Sequence, residues 1–247
     1  VLPKNPFRRT VISRTLRSAQ AIFAVSQDLR EKTIALGVDP KRVHVSHQGV
    51  DESFSPGDQA EARRRLNLHC TDPLLLWVGR MAPVKGLDVL FDAMVRLVRS
   101  RPKTTLALVG DGPLRTSLEK QAKLSGLAAN VRFVGTVKPT FLPDWYRAAD
   151  LTVLSSHSEG IPNVLRESLA CGTPYVATRV GGIAELCDDP AIRLVAPGDA
   201  GALANAVDDC LDARRRIEGK FNGTWESYAK ELITHMGCES ATESPRS

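Results

Sequence analysis

Two glutamates, Glu159 and Glu167, stand eight residues apart in the run Ser158-Glu159-Gly160-Ile161-Pro162-Asn163-Val164-Leu165-Arg166-Glu167. A carboxylate pair can flank a scissile glycosidic bond or accept hydrogen bonds from a polyol. Spacing does not choose between these uses, because surface glutamates are common. The surroundings say more. Pro162 suits the first turn of a helix, so the amides of Asn163, Val164 and Leu165 are expected to lack partners at its start and to be able to face a phosphate. Glu167 falls on the apolar side of that helix, between Val164 and Ala170-Cys171. An unpartnered carboxylate there is costly, so a donor such as a sugar hydroxyl is expected to meet it.

A second cluster, Gly79-Arg80-Met81-Ala82-Pro83-Val84-Lys85-Gly86, carries two cations where a helix is expected to begin. The macrodipole is already positive at that end and disfavours them. A bound anion would remove the conflict, which makes Arg80 and Lys85 candidates for a phosphate clamp; side chains splayed into water are the plainer alternative. Gly110-Asp111-Gly112 invites a dinucleotide-binding reading. The third small residue of that fingerprint would fall at Arg115, which weakens a dehydrogenase assignment.

The elements that must position these residues follow from hydrophobic period. Short aliphatic and β-branched runs alternate with longer stretches of helical period, as parallel βαβ units do. Strands are expected over 22–26, 43–47, 74–78, 105–109, 131–134, 151–154, 175–178 and 193–195, and helices over 87–100, 114–125, 144–149 and 163–171. The last six strands suggest one α/β domain with a doubly wound, Rossmann-like parallel sheet. Ligands of such sheets bind outside the carboxyl ends of the strands. Those positions hold Gly79-Arg80, Gly110 to Pro113, Gly135-Thr136, the segment 155–162 and Gly181-Gly182, and glycine there lets backbone approach a ligand closely. Residues 48–57 are rich in turn formers and read as a hinge. The expected organisation is therefore the end of a preceding domain and hinge over 1–55, a ligand-binding domain over 56–215, and a C-terminal helix and tail over 216–247. That helix is expected at 224–236 with Trp225, Tyr228, Leu232 and Met236 on one face, followed by a disordered polar tail from Glu239.

Composition bounds the class. The 247 residues are 43% hydrophobic, enough for one large core or two modest ones, and a globular protein is the default. No run approaches the roughly 18 apolar residues of a spanning helix, and the apolar stretch of a secretory signal is absent, so a cytoplasmic location is expected. Cys70, Cys171, Cys187, Cys210 and Cys238 show neither a Cys-x-x-Cys pair nor accompanying histidines, so they are read as reduced packing residues rather than disulfides or zinc ligands. The net charge of +5 is uneven, with Lys4, Arg8, Arg9, Arg14 and Arg17 all preceding the first acid, Asp28. This basic helix reads as a solvated or interdomain face, or as a peripheral contact with an anionic membrane surface. Nucleic acid is not indicated, because no stacking aromatics interleave the basic residues.

The run from Glu159 to Pro174, with Gly181-Gly182-Ile183-Ala184-Glu185 after it, resembles the signature of family 4 retaining glycosyltransferases of the GT-B fold. Gly79-Arg80 to Lys85-Gly86 and Val109-Gly110-Asp111-Gly112-Pro113-Leu114 match the same family in the same order, and the likeness runs over nearly the whole chain. The resemblance implies the C-terminal, donor-binding domain of such an enzyme. It places Arg80 and Lys85 on the donor diphosphate, Glu159 on the transferred sugar, Glu167 on the ribose, and residues near Val137 beside the base; Gly79, Gly110, Gly112, Asn163, Val164 and Leu165, singled out by their loop and helix-start positions, complete the expected donor site. A hexose-type sugar from a UDP- or GDP-sugar is the expected donor, with no cofactor beyond that co-substrate, and the resemblance implies an acceptor-binding N-terminal domain of which Phe23-Ala24-Val25-Ser26 and Gly49-Val50-Asp51 resemble the end. The chain is accordingly expected to be a fragment. Gln48 departs from the asparagine usual in the family.

Loss of a nucleotide leaving group puts negative charge on the β-phosphate, and no Asp-x-Asp metal motif occurs in the sequence. Arg80, Lys85 and the helix start at Asn163 would have to stand in for a metal ion. Three rivals remain: a module that binds a nucleotide sugar without turnover, a hydrolase using Glu159 and Glu167 as its carboxylate pair, and an epimerase on the same fold. A hydrolase should ignore nucleoside diphosphates, and an epimerase should consume donor without any acceptor.

Overall fold

The computed structural model describes residues 5–69, 71–186, 188–217, 223 and 225–235. Contacts divide the chain into two compact units, Glu52–Phe221 and the residues on either side of it. The division lies near the expected hinge and places the C-terminal helix with the N-terminal segment. Lys4, Cys70, Cys187, Cys238, both ends of the expected 224–236 helix and the tail from Glu239 lie outside the described residues.

In the N-terminal unit, α1 (Pro6–Ser18) begins where the Asn5 side chain accepts from the amides of Phe7 and Arg8 and Pro6 occupies the first turn. It buries none of its residues, and Phe7 and Val11 are exposed beside its arginines. β1 (Ile22–Ala24) leads through the Ser26 cap into α2 (Gln27–Ile34), and β2 (Val43–Val45) returns parallel to β1. Ala24, Val38 and Val43 form a small core.

The second unit runs α3 (Gln59–Arg65), β3 (Leu74–Val78), α4 (Leu87–Ser100), β4 (Thr105–Val109), α5 (Arg115–Leu124), β5 (Val131–Gly135), α6 (Leu142–Ala148), β6 (Leu151–Leu154), α7 (Asn163–Ala170), β7 (Tyr175–Thr178), β8 (Arg193–Val195) and α8 (Ala200–Ala213). Its six strands lie in the order β5-β4-β3-β6-β7-β8, every neighbouring pair parallel. This is the expected doubly wound sheet. Both faces are covered, which is why the central strands read as unbroken apolar runs. Leu75, Trp77, Leu106 and Leu108 pack against α4, α5 and α8 on one face; Leu74, Leu76, Ala107 and Val109 pack against Ala62 of α3 and Trp145 and Tyr146 of α6 on the other.

Helices α2, α3 and α8 were not anticipated from hydrophobic period, and each starts at a cap. Ser26 accepts from Leu29 N, Asp58 from Glu61 N and Asp199 from Ala202 N. Among the described residues no helix is long and apolar enough to cross a membrane. Last among the described elements, α9 (Trp225–His235) belongs to the N-terminal unit, where Ser46 Oγ donates to Glu231 Oε2 at 2.8 Å. Trp225 and Tyr228 share a face, with their rings edge to face at 5.8 Å.

Candidate functional site

Chain order sets the site. From β3 the sheet grows outward through β4 to β5; the chain then crosses back and adds β6 on the other side of β3. The loops leaving the carboxyl ends of β3 and β6 diverge at this reversal, and between such loops a doubly wound sheet presents its ligand crevice. They are the segments 79–86 and 155–162, the two richest in candidate residues.

The two loops meet through charge. Lys85 Nζ donates to Glu159 Oε1 at 2.7 Å, with side chains 23% and 11% exposed, and buried Ser156 donates to the same oxygen at 2.6 Å. Backbone bonds reinforce the junction: the His157 amide donates to the Val84 carbonyl at 2.9 Å, and Ser155 Oγ to the Lys85 carbonyl at 3.1 Å. Here the expected picture changes. Pro83–Lys85 form a 3₁₀ turn and α4 starts only at Leu87, so Lys85 does not sit inside a helix start, and its charge is met by Glu159 within the chain. Arg80 remains exposed, and no ion pair reaches it among the described residues.

Glycines let these loops touch. Gly181 has φ +55°, and a Cβ there would lie 2.0 Å from the carbonyl oxygen of Glu159. Gly110 has φ +126°, and its Cβ would meet the Gly79 carbonyl oxygen at 1.9 Å. The amides of Gly79 and Gly110 donate to Val109 O and Gly135 O at the ends of β4 and β5, and that of Gly112 to Asp111 Oδ1, so all three are spent within the chain. What these glycines provide is close approach of backbone to backbone.

α7 starts at Asn163 with no side-chain cap. The amides of Asn163 and Val164 take no hydrogen bond among the described residues, whereas that of Leu165 donates to Pro162 O at 3.1 Å. The expected trio of open amides is thus a pair. Glu167 does have the donor its position demands, but it is a protein group: Tyr146 Oη donates to Glu167 Oε2 at 2.7 Å. Burial raises the Glu167 carboxyl above its ordinary range, and the Tyr146 bond pulls it partly back. Burial first, and then the Glu167 carboxylate, hold the Tyr146 phenol well above its ordinary value, so it stays a donor. Val137, half-buried after β5, packs on the cluster that holds Trp145 and Tyr146.

The structure therefore brings Lys85 and Glu159 into contact, leaves Arg80 open on the same loop, and ties Glu167 to the α6 side of the sheet. Sequence reasoning missed Ser156 and Tyr146. Ser156 lies three residues from Glu159 and carried a local signal; Tyr146 is 21 residues from Glu167 and carried none. Of the cysteines, Cys171 and Cys210 are free, and burial pushes the Cys171 thiol up to about 12. Among the described residues no group of three or more His, Cys, Asp or Glu side chains could hold a metal ion.

Residues 72–213 match the family model described as glycosyl transferases group 1, and residues 2–54 that of glycosyltransferase family 4. The chain belongs to the group 1 glycosyl transferases. Within that family it is 42% identical over 208 residues to a D-inositol 3-phosphate glycosyltransferase 2 of Catenulispora acidiphila, covering 79% of this chain and 48% of the relative. It is 33% identical over 246 residues to a D-inositol 3-phosphate glycosyltransferase of Kribbella flavida, covering 95% and 56%. The chain thus spans about half the length of these relatives. Among solved structures, a sucrose-phosphate synthase from Thermosynechococcus elongatus superposes with a TM-score of 0.84 at 28% identity, covering 96% of this chain and 63% of that one. HepE from Anabaena, in complex with UDP and glucose, superposes at 0.83 over 94% and 67%, with 22% identity, a likeness of fold.

Proposed function

We propose that this chain forms the donor site of a transferase that moves a hexose-type sugar from a UDP- or GDP-sugar to an acceptor hydroxyl with retention of configuration. The observation that carries the reading is the Lys85–Glu159 pair, which joins the two loops flanking the reversal of the sheet. It sets a cation for phosphate beside a carboxylate for sugar hydroxyls. Arg80 and Lys85 then meet the diphosphate, Glu159 the sugar, Glu167 the ribose, and Val137 stands beside the base.

In the reaction, the bond from the anomeric carbon to the β-phosphate oxygen breaks as the acceptor oxygen bonds to that carbon, and the acceptor proton leaves with the diphosphate. Charge growing on the phosphate is met by Arg80, Lys85 and the open amides of Asn163 and Val164, which need no reorganisation if held in place beforehand. No metal ion or cofactor beyond the co-substrate enters this scheme.

A thermal-shift panel of UDP, GDP and their glucose and mannose derivatives tests the donor reading. Binding to the native state at 100 times Kd adds about 2.7 kcal/mol of stability. The expected result is stabilisation by one base series; no response to any nucleoside diphosphate, with cleavage of simple glycosides, would favour the hydrolase instead. Donor consumption that needs an acceptor separates transfer from binding alone and from epimerisation. D-inositol 3-phosphate, named for the relatives, is the first acceptor to try.

A further inference from the structure

We infer that Tyr146 is a positioning residue for nucleotide recognition: by holding one oxygen of Glu167 it leaves the other as a fixed acceptor for the ribose hydroxyls. The inference rests on the reading of Glu167 as the ribose carboxylate and adds a residue that the motifs do not contain.

The geometry that supports it starts with the carboxylate. Glu167 Oε2 accepts from Tyr146 Oη at 2.7 Å, whereas Oε1 takes no hydrogen bond among the described residues. The carboxylate is half-buried, and Oε1 is not among the buried polar atoms that lack a partner, so it stays open to an incoming donor. A vicinal diol entering the site supplies the donors it lacks, while the Tyr146 bond stops the carboxylate from rotating to meet them in some other orientation. Such bonds to an ionised acceptor are short and strong.

Tyr146 is itself fixed on every side. Its side chain is fully buried, and the ring meets Phe54 edge to face at 5.9 Å. Its carbonyl accepts from Thr173 Oγ1 at 2.7 Å, and the stretch that follows α7 is held by Ser168 Oγ, which donates to Thr173 O at 2.8 Å. Helices α6 and α7 are thus locked to each other on either side of the phenol–carboxylate bond. Phenylalanine would fill the same apolar space and keep the ring contact, so a hydroxyl at this position serves the carboxylate.

Isothermal titration of UDP against 2′-deoxy-UDP, and of GDP against 2′-deoxy-GDP, reads the ribose contact directly in the parent chain, Glu167→Gln and Tyr146→Phe. The parent should prefer the ribonucleotide of the series it binds by about tenfold or more, as loss of a hydrogen bond to a charged group implies. Glu167→Gln should abolish most of that preference, and Tyr146→Phe should cut it to about threefold while leaving 2′-deoxy affinity nearly unchanged. A merely structural role for Tyr146 would weaken both nucleotides alike and keep the ratio, which overturns the inference while the ribose reading stands. A parent that does not discriminate, binds neither series, or keeps its preference in Glu167→Gln refutes the ribose reading, and the inference with it. Should Tyr146→Phe fail to fold, the double variant with Glu167→Gln removes the donor and the carboxylate together. Its ratio must then equal that of Glu167→Gln alone; any further fall would show Tyr146 acting on the ribose independently, and the inference would be wrong.

Discussion

Glu159→Gln should make the site bind a nucleoside diphosphate more tightly. In the structure Lys85 Nζ lies 2.7 Å from Glu159 Oε1, so a phosphate that recruits Lys85 competes with that carboxylate and is also repelled by it. Two opposite charges about 4 Å apart attract by about 4 kcal/mol at an effective dielectric constant of about 20. Hydration lost and side chains ordered cancel most of this, and pairs open to solvent are worth about 1 kcal/mol or less. Removing the competitor should therefore return about 1 kcal/mol to UDP or GDP, a fall in Kd of about fivefold. Glutamine can still accept from Ser156, which keeps the loop in place. The sugar conjugate should not share the gain, because the variant also loses the carboxylate assigned to the sugar hydroxyls. Titration calorimetry of the diphosphate and its glucose or mannose conjugate measures both, and added salt should shrink the gain. If Glu159→Gln weakens the bare diphosphate as much as the conjugate, Lys85 is not the phosphate ligand and the charge argument fails.

Arg80→Ala should lower diphosphate affinity roughly tenfold, as loss of a charge-assisted bond does, and leave nucleoside affinity alone; equal losses in calorimetry would remove Arg80 from the clamp. Because burial lifts the Glu167 carboxyl, its ionisation opposes folding. Stability is intact below the ordinary glutamate pKa of about 4.3 and falls as pH rises through the higher folded value. The melting temperature of Glu167→Gln should thus gain on the parent as pH rises above the ordinary glutamate range, with each kcal/mol worth roughly 2–4 °C; a flat or shrinking difference would contradict the burial argument. Gly181→Ala places a Cβ 2.0 Å from the Glu159 carbonyl oxygen at φ +55°. It should lower the melting temperature and, by pushing the 155–162 loop aside, weaken the sugar conjugate more than the bare diphosphate. A variant with parental stability and affinity would show that the loops do not need this close approach.

The sheet was legible because its strands are buried on both faces: Leu74-Leu75-Leu76-Trp77-Val78 carries one signal whichever way each side chain points. The loops were legible because glycine and charge gather where strands end. Helices α3 and α8 were not, since Gln59–Arg65 is short and rich in arginine and Ala200–Ala213 mixes alanine with aspartate, although Asp58 and Asp199 mark their starts. The local chemistry of the site could be read, but its partnerships could not. Lys85 finds Glu159 across 74 residues of chain, and Tyr146 finds Glu167 across 21. The first pairing follows from β6 joining the sheet beside β3 and the second from the packing of α6 against α7, neither of which a local pattern encodes. The consequence is functional as well as structural. Lys85 and Glu167, expected from the sequence to meet a ligand, each meet a protein partner, Glu159 and Tyr146, while Arg80 stays exposed on the Lys85 loop and Glu167 Oε1 takes no hydrogen bond among the described residues. In the proposed donor site this open capacity is a cation for the diphosphate and an acceptor for the ribose diol next to it.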